Sequence, residues 1–251
     1  RASNVAREDT VSHRVSLSTL RTNVRHHLDE ATAAFWTNAQ LLVYINQAID
    51  RVWNEVRNSR GDYFFKSLAS TAGSQTILSE TYAASSLQIA VGAIEITLPP
   101  DFAELKLIRV TTADYEHVRF TQSELSDPVF RSLLEYPDNV GPSAFRYAIV
   151  GERTMLYGPR SDTLLNTTFY YIFRPSPLAS DTDTQEMPYP LDRAVEAFAS
   201  ATALAMDRAP EAAMWEARGQ RLMADFLGAN KRQSMDPVVV VAAMSEWEGW
   251  G

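Results

Sequence analysis

The stretch WTNAQLLVYINQAIDRVWNEVRNSRG, residues 36–61, carries the clearest structural signal in the chain. Thr37 and Gln40 are spaced as a capping box, in which each side chain accepts a hydrogen bond from the other residue's backbone N–H. Apolar residues then recur at alternating steps of three and four, with polar residues between them. This pattern predicts an amphipathic helix over residues 38–59, with Gly61 as its stop signal.

Working outward, further helices are predicted on both sides of this one. Apolar residues at helical spacing predict a preceding helix over about 18–30. Near the other end, an alanine-rich segment predicts a helix over 191–208. Pro210 suits a first helical turn, and it begins a last predicted helix that Gly228 is expected to end.

Between these helical parts, residues 62–174 alternate short β-branched and aromatic runs with turn-forming clusters, which predicts strands and turns. Thr121 and Glu124 are spaced as a second capping box, which predicts a short helix through Leu134. Residues 175–190 are predominantly polar and predict a linker. The predicted strands are Tyr63–Leu68, Leu87–Val91, Ile94–Leu98, Leu105–Thr112, Glu116–Phe120, Phe145–Val150, Thr154–Tyr157 and Thr167–Phe173.

These elements predict an α+β protein in which N- and C-terminal helices form one helical bundle, a β-rich domain is inserted in the middle, and a C-terminal tail is extended. The bundle is expected to comprise residues 15–61 and 187–230. Residues 62–186 form the inserted domain with its linker. Residues 1–14 are predicted to be a flexible arm, and residues 231–251 a C-terminal extension.

Composition excludes several classes of function. The 251 residues contain no cysteine, which removes disulfides, zinc–thiolate sites and thiol catalysis. A net charge of -8 argues against a general nucleic-acid binder, because such proteins are usually basic. No segment approaches the roughly 20 apolar residues that a membrane-spanning helix needs, so no membrane partner is predicted.

The polar residues do not assemble into a recognisable catalytic motif. Adjacent His26 and His27 point in different directions on a helix, which is typical of surface histidines and not of metal ligands. Asp181, Asp183 and Glu186 lack the glycine and the final glutamate of a calcium loop, which favours a solvated linker. We therefore predict no catalytic residue, no cofactor and no metal, and a protein that is not an enzyme.

The first helix region carries arginines that have two interpretations. Arg14, Arg21 and Arg25 are candidate contacts to a DNA backbone passing nearby. Three arginines in one helical region are also typical of a solvated face, or of ion pairs with a neighbouring acidic surface.

The C-terminal extension contains a run of four valines followed by two tryptophans. Consecutive valines favour an extended strand, and such an uncharged strand must be paired to avoid aggregation. The strand is expected to pair within its own β-domain or with a neighbouring chain, and tryptophans are frequent anchors at protein interfaces. The candidate partner-binding residues are Val238, Val239, Val240, Val241, Trp247 and Trp250.

Several motifs together resemble one protein family. They are Leu17-x-x-Leu20-Arg21, Phe35-Trp36-Thr37, Ile45-Asn46-x-Ala48, Leu98-Pro99-x-Asp101-Phe102 and Tyr157-Gly158-Pro159. In these residues the chain resembles the head–tail adaptor (connector, or neck) proteins of tailed bacteriophages, over most of residues 16–230. The tail beyond Lys231 has no counterpart in the resemblance.

The resemblance implies a structural virion protein that docks as a dodecameric ring beneath the portal protein. Such a ring extends the channel for double-stranded genomic DNA, without sequence-specific binding, and provides the attachment platform for tail or nozzle proteins. Neighbouring adaptor subunits and the portal are the implied partners, and the C-terminal segments are expected to embrace the portal. The implied location is the virion neck, with assembly in the host cytoplasm.

Two alternatives to this function remain open from the sequence. The nearest is another neck or tail-completion protein, such as a stopper, because these proteins also form rings. The alternative from a different class is a carbohydrate-binding or hydrolytic β-domain carried on helices. That function requires an aromatic-lined groove and a pair of carboxylates.

Overall fold

The computed structural model describes residues 15–30, 35–59, 64–135, 144–187 and 190–234. Helices and sheets both contribute to these residues, which confirms the predicted α+β class. The helices are α1 (Leu17–His27), α2 (Asn38–Ser59), α3 (Pro128–Glu135), α4 (Leu191–Leu204) and α5 (Ala209–Ser234). The strands are β1 (Phe65–Ala69), β2 (Ser74–Ile77), β3 (Glu80–Ala83), β4 (Glu95–Thr97), β5 (Phe102–Val110), β6 (Arg119–Gln122), β7 (Ala144–Val150), β8 (Thr154–Gly158) and β9 (Thr167–Phe173).

Helix α2 begins where the capping box predicts. The N–H of Thr37 donates to Gln40 Oε1 at 2.9 Å, and the N–H of Gln40 donates to Thr37 Oγ1 at 3.2 Å. These two bonds satisfy backbone donors that have no partner inside the helix. The predicted bounds of 38–59 are those of the structure. The predicted stop signal, Gly61, lies outside the described residues.

Helix α4 lies at the centre of the helical part and packs against α1, α2 and α5. Nearly all of its side chains are buried, and small residues let the neighbouring helices approach closely. A Cβ atom added at Gly219 of α5 would lie only 2.6 Å from the Phe198 ring of α4. The guanidinium of Arg51 in α2 lies over the same ring, 4.0 Å from its centroid. One buried ring of α4 therefore contacts both α2 and α5.

Helix α5 is longer than the sequence predicts. Because α5 returns antiparallel to α4 with Gly219 opposite Phe198, Phe226 lies level with the start of α4 at Leu191. The helix continues through Gly228, so the predicted stop there was wrong. It ends at Ser234, about 12 Å beyond that level at 1.5 Å per residue. A glycine costs about 1 kcal/mol inside a helix, which weakens a long helix without ending it.

The strands form three sheets in the described part of the chain. One is a three-stranded antiparallel sheet in the order β1–β9–β5, and a second is the hairpin β2–β3. The third has the order β4–β8–β7–β6, in which β6 and β7 are parallel and α3 makes the connection between them. A parallel pair needs such a crossover, whereas the antiparallel pairs β2–β3 and β7–β8 are joined by short turns.

Hydrophobic residues gather in two clusters, one among the helices and one among the strands. Leu68, Phe169 and Tyr171 place one face of the β1–β9–β5 sheet in the strand cluster. Ile172, on the opposite face, belongs to the helical cluster. The three-stranded sheet therefore contributes to both clusters, through different faces of one strand.

Two features of the β-rich part differ from the sequence prediction. The predicted strand Leu87–Val91 is wrong: a 3-10 turn covers Ala84–Leu87, and only isolated bridges follow it. The hairpin β2–β3 was not predicted. Its turn places Leu78 and Ser79 at positive φ angles of 49° and 67°, without the Gly or Asn that usually marks such a turn.

The start of α3 also differs from the prediction. Thr121 lies in β6, so it does not form the predicted capping box with Glu124. Asp127 takes the capping position instead, and its Oδ1 accepts a hydrogen bond from the N–H of Val129 at 2.9 Å. The helix then runs Pro128–Glu135, with proline at its first position as the missing N–H allows.

Candidate assembly surfaces

Most residues predicted to contact a partner lie outside the described part of the chain. These are Arg14 in the N-terminal arm and the candidate anchors of the C-terminal extension, Val238, Val239, Val240, Val241, Trp247 and Trp250. Their interface role stays a prediction.

Arg25 is described, and the structure gives it a different role from the predicted DNA contact. Its side chain is buried, and its guanidinium donates to Glu30 Oε2 at 3.0 Å, to the carbonyl of Trp36 at 2.9 Å and to Asn38 Oδ1 at 2.8 Å. These bonds join the end of α1 to the start of α2. A DNA phosphate is therefore out of reach of Arg25 unless these contacts break.

Arg21 has an internal partner as well. Its guanidinium pairs with Asp181 at 2.8 Å, and its side chain is only 13% exposed. Asp181 belongs to the predicted solvated linker, residues 175–190, of which the structure describes 175–187 and 190. The ion pair instead attaches this segment to α1, which agrees with the ion-pair interpretation of the first-helix arginines.

The described part of this linker, residues 175–187, is anchored by hydrogen bonds and a few buried side chains, although many of its residues are exposed. The side chain of Asn46 accepts from the N–H of Leu178 and donates to its carbonyl, both at 2.9 Å. Asp183 accepts from the N–H groups of Ala179 and Ser180, and the bond from the Ser180 hydroxyl is the largest of the causes that lower the Asp183 pKa. The carboxylates assigned to a solvated linker therefore organise a turn that holds α1 and α2.

His27 was predicted to be a surface histidine, but it is half-buried among α1, α4 and α5. Its ring stacks on Trp215 with centroids 4.1 Å apart, and Nδ1 lies 3.2 Å from Ser200 Oγ. Burial lowers the His27 pKa, and the nearby charges of Arg218 and His26 lower it further. Sequence spacing could not reveal this, because the partners lie far along the chain.

A row of ion pairs lies where the helices meet the three-stranded sheet. Arg174 pairs with Asp50 at 3.2 Å and Arg57 with Glu104 at 3.6 Å. The indole N–H of Trp53 donates to the carbonyl of the last β9 residue at 3.0 Å. A cavity of about 900 Å³ opens between these pairs, lined by charges of both signs. Two ion pairs and the hydrogen bond of the Trp53 indole therefore join helix α2 to the three-stranded sheet and the residue that follows β9.

Asp101, in one of the family motifs, has a structural role. Its buried carboxylate accepts from Lys66 Nζ at 2.8 Å and from the Tyr171 hydroxyl at 2.9 Å. Its backbone carbonyl accepts from the N–H of Arg174 at 2.7 Å. Burial raises the pKa of Tyr171, and the negative charge of Asp101 raises it further. We call the face of the β1–β9–β5 sheet that carries Leu68, Phe169 and Tyr171 the closed face. Asp101 stabilises this face by its bonds to Lys66 and Tyr171.

The opposite face of this sheet is partly uncovered. Phe65 of β1 and Leu107 of β5 are 49% and 57% exposed, on either side of Tyr170 in β9. The rings of Phe65 and Tyr170 stack with centroids 5.7 Å apart. We call Phe65, Tyr170 and Leu107 the apolar stripe. Sequence reasoning missed it, because β-branched and aromatic residues in strands are usually assigned to a core.

Within the described ranges, no group of three histidine or acidic side chains is placed to hold a metal ion. Across the same ranges, no helix has the length and apolar character to cross a membrane.

Residues 15–241 match the family model described as SU10 adaptor protein. The chain belongs to the SU10 adaptor family. The predicted resemblance to phage head–tail adaptors is therefore confirmed, and the structural role that the family implies applies to this SU10 adaptor. The matched range includes the described helices and sheets and extends through the four valines. No curated protein sequence matches the chain.

Proposed function

We propose that this SU10 adaptor docks as a ring beneath the portal of a tailed phage, extends the DNA channel and provides the platform on which the tail assembles. The observation that carries the proposal is the family match over residues 15–241. The partners are the portal, neighbouring subunits of a dodecameric ring and tail or nozzle proteins. Double-stranded DNA passes through, and the net charge of -8 disfavours tight binding that would retain it. The site of action is the virion neck, after assembly in the host cytoplasm.

Two parts of the fold would serve this function differently. We assign the scaffold of the ring to a bundle of the N- and C-terminal helices, which share one hydrophobic cluster. The strand cluster supports a β-rich domain inserted between them. The partner-binding surface in this proposal is the C-terminal extension, with Val238–Val241 as a strand and Trp247 and Trp250 as anchors.

Mass photometry of the protein mixed with portal rings from the same phage tests the proposal. We expect many copies of the full chain on each portal ring. A chain truncated after Ser234, the last residue of α5, should remain folded and lose stable attachment. Portal rings that bind their other partners but recruit no adaptor would contradict the function. Full recruitment of the truncated chain would contradict only the role of the extension.

A further inference from the structure

Strand β1 has a free edge in the described part of the chain. The N–H of Ser70 donates to the carbonyl of Thr167, and the N–H of Phe173 donates to the carbonyl of Phe64. The even-numbered residues of this strand therefore direct their backbone N–H and C=O groups toward β9. In an antiparallel ladder the alternate residues direct their N–H and C=O groups away. Phe65 and Ser67 therefore present unpaired donors and acceptors at the outside of the sheet.

The other sheet edges are less suited to accept a strand. Strand β5 has two register irregularities, which distort an edge and discourage pairing. Strand β4 has only three residues, and strands β2, β3 and β6 have four each. Strand β1 is regular over all five of its residues. The regular edge is also the one next to the apolar stripe.

The apolar stripe begins at Phe65 in the edge strand β1 and runs across the sheet face through β9 to β5. Phe65 lies directly opposite Ile172, which the helices bury, and Tyr170 and Leu107 lie one row further along the same face, so the stripe begins beside the helical cover. Arg109 lies one row beyond, exposed and basic. The surface therefore offers, side by side, a backbone ladder, aromatic rings and a positive charge.

The C-terminal extension has residues that complement the free edge of β1, the apolar stripe and Arg109. Val238–Val241 favour a strand and carry no charge, and Trp247 and Trp250 suit an aromatic surface. Glu246 and Glu248 flank Trp247 and complement a basic residue.

The course of the helices places the start of this extension near the sheets. Helix α5 ends about 12 Å beyond the start of α4. Arg51 of α2 lies level with Phe198 of α4, and Trp53 and Arg57 further along α2 contact Phe173 and Glu104 of the sheet. Helix α2 begins beside the end of α1, which runs in the same direction as α4, so α2 is antiparallel to α4 and the start of α4 lies at the end of the helical part that meets the sheets.

We propose that Val238–Val241 of one copy add as a strand to the free edge of β1 in a neighbouring copy, with the tryptophans on its apolar stripe. The proposal rests on the ring of the proposed function. Each subunit gives one strand and receives one, and such head-to-tail contacts close into rings when the rotation between copies allows it. The hydrogen bonds supply affinity, and the aromatic stripe selects this edge over the others.

The absence of cysteine from the chain permits a direct test by disulfide formation. Ser67→Cys is mixed with chains that carry one cysteine each, at positions 238 to 241 in turn, which covers every register. Cross-linking is scored on non-reducing gels, both in the concentrated free protein and on portal rings. We expect a species of twice the monomer mass for at least one pair. The matched control is Met206→Cys, an exposed residue in the turn between α4 and α5, which should give none.

Two outcomes overturn the proposal. A further chain carries Ser67→Cys and one of the cysteines at 238 to 241 together. One overturning outcome is a cross-link that forms only inside this doubly substituted chain, since that shows pairing within the same copy. The other is no cross-link for any pair in either sample. Mass photometry separates these outcomes from the proposed function, because rings that assemble without a cross-link leave the adaptor role intact.

A second variant tests the free edge without cysteine. Ser67→Pro removes an N–H that points away from β9, so the ladder inside the sheet remains. We expect loss of contacts between copies, with unchanged unfolding of the monomer. Ser67→Thr keeps the N–H and should behave as the wild type. Normal ring formation by the folded proline variant would contradict strand addition at this edge.

Discussion

The helical cluster and the three-stranded sheet bury their aromatic rings to different degrees. Phe198 of α4 is enclosed, with Gly219 and Arg51 against it, whereas Phe65 of β1 stacks on Tyr170 and remains half-exposed. Both are phenylalanines in regular secondary structure. The difference teaches that the Phe198 ring serves the folded core of the monomer, whereas the open sheet face is surface that folding alone does not use.

Replacing Phe198 and Phe65 by alanine should give the largest difference in the free energy of unfolding. Phe198→Ala removes a buried ring and leaves a cavity, so we expect the free energy of unfolding to fall by about 3–5 kcal/mol. Phe65→Ala should lower it by less than about 1 kcal/mol, because the ring is half in solvent already. Urea denaturation of both variants measures the difference. Equal losses would show that the stripe belongs to the core.

A substitution at buried Asp101, on the closed face of the same sheet, should lower the free energy of unfolding more than one at the nearby exposed Glu104. Asp101→Asn keeps an acceptor for Tyr171 but removes the charge that pairs with Lys66, and we expect a loss of about 1.5–3 kcal/mol in unfolding free energy. Glu104→Gln removes an exposed carboxylate from ion pairs and should cost less than about 1 kcal/mol. If the two losses in urea are equal, the buried network contributes little.

Two glycines of α5 sharpen the comparison within one helix. Gly219→Ala forces a Cβ against Phe198, and the clash should exceed the gain in helix propensity, for a net loss of about 1 kcal/mol. An added Cβ at Gly228 meets no described atom within 4 Å, so Gly228→Ala should gain about 0.5–1 kcal/mol. Thermal unfolding of both variants gives the signs. A stabilised Gly219→Ala would show that the helices can separate freely.

The smallest expected effect is a dependence on pH. The His27 pKa is lowered by folding, so the unfolded chain binds the proton first as pH falls below 6.5. Stability from neutral His27 is thus complete above that pH and is lost on acidification. We expect the fall in thermal midpoint between pH 7 and pH 5 to be shallower in His27→Gln than in the wild type.

His26→Gln is the matched control, because His26 is the exposed neighbour on the same helix. The raised carboxyl pKa values of Asp192 and Glu196 act in the opposite direction at lower pH, and they are common to all three proteins. An equal change in slope for both histidine variants would contradict the assignment to the buried ring.

The sequence predicts those features whose causes are local. Thr37 and Gln40 lie three residues apart, so their mutual bonds could be inferred, and α2 has the predicted bounds. Strand β9 also has its predicted bounds, since its β-branched and aromatic run needs no distant partner to be recognised. The α+β class follows from the order of such segments.

Features with distant or unusual causes could not be predicted. Arg25 is buried against Trp36 and Asn38 at the start of the next helix. His27 is covered by Trp215, about 190 positions further along the chain. The β2–β3 turn uses Leu78 and Ser79 at positive φ, against the usual preference of those residues. The apolar stripe depends on which face of β9 the helices cover, and that is decided by tertiary packing.

The pairing of β1 with β9 has a consequence for synthesis. Phe65 pairs with Ile172, and Asn23 of α1 binds Glu196 of α4 across 173 residues. The apolar faces of α1 and α2 thus emerge from the ribosome long before α4 can cover them. Long-range contacts of this kind fold slowly, and their unfinished surfaces favour aggregation. The helical part can therefore complete its hydrophobic core only after α4 is made.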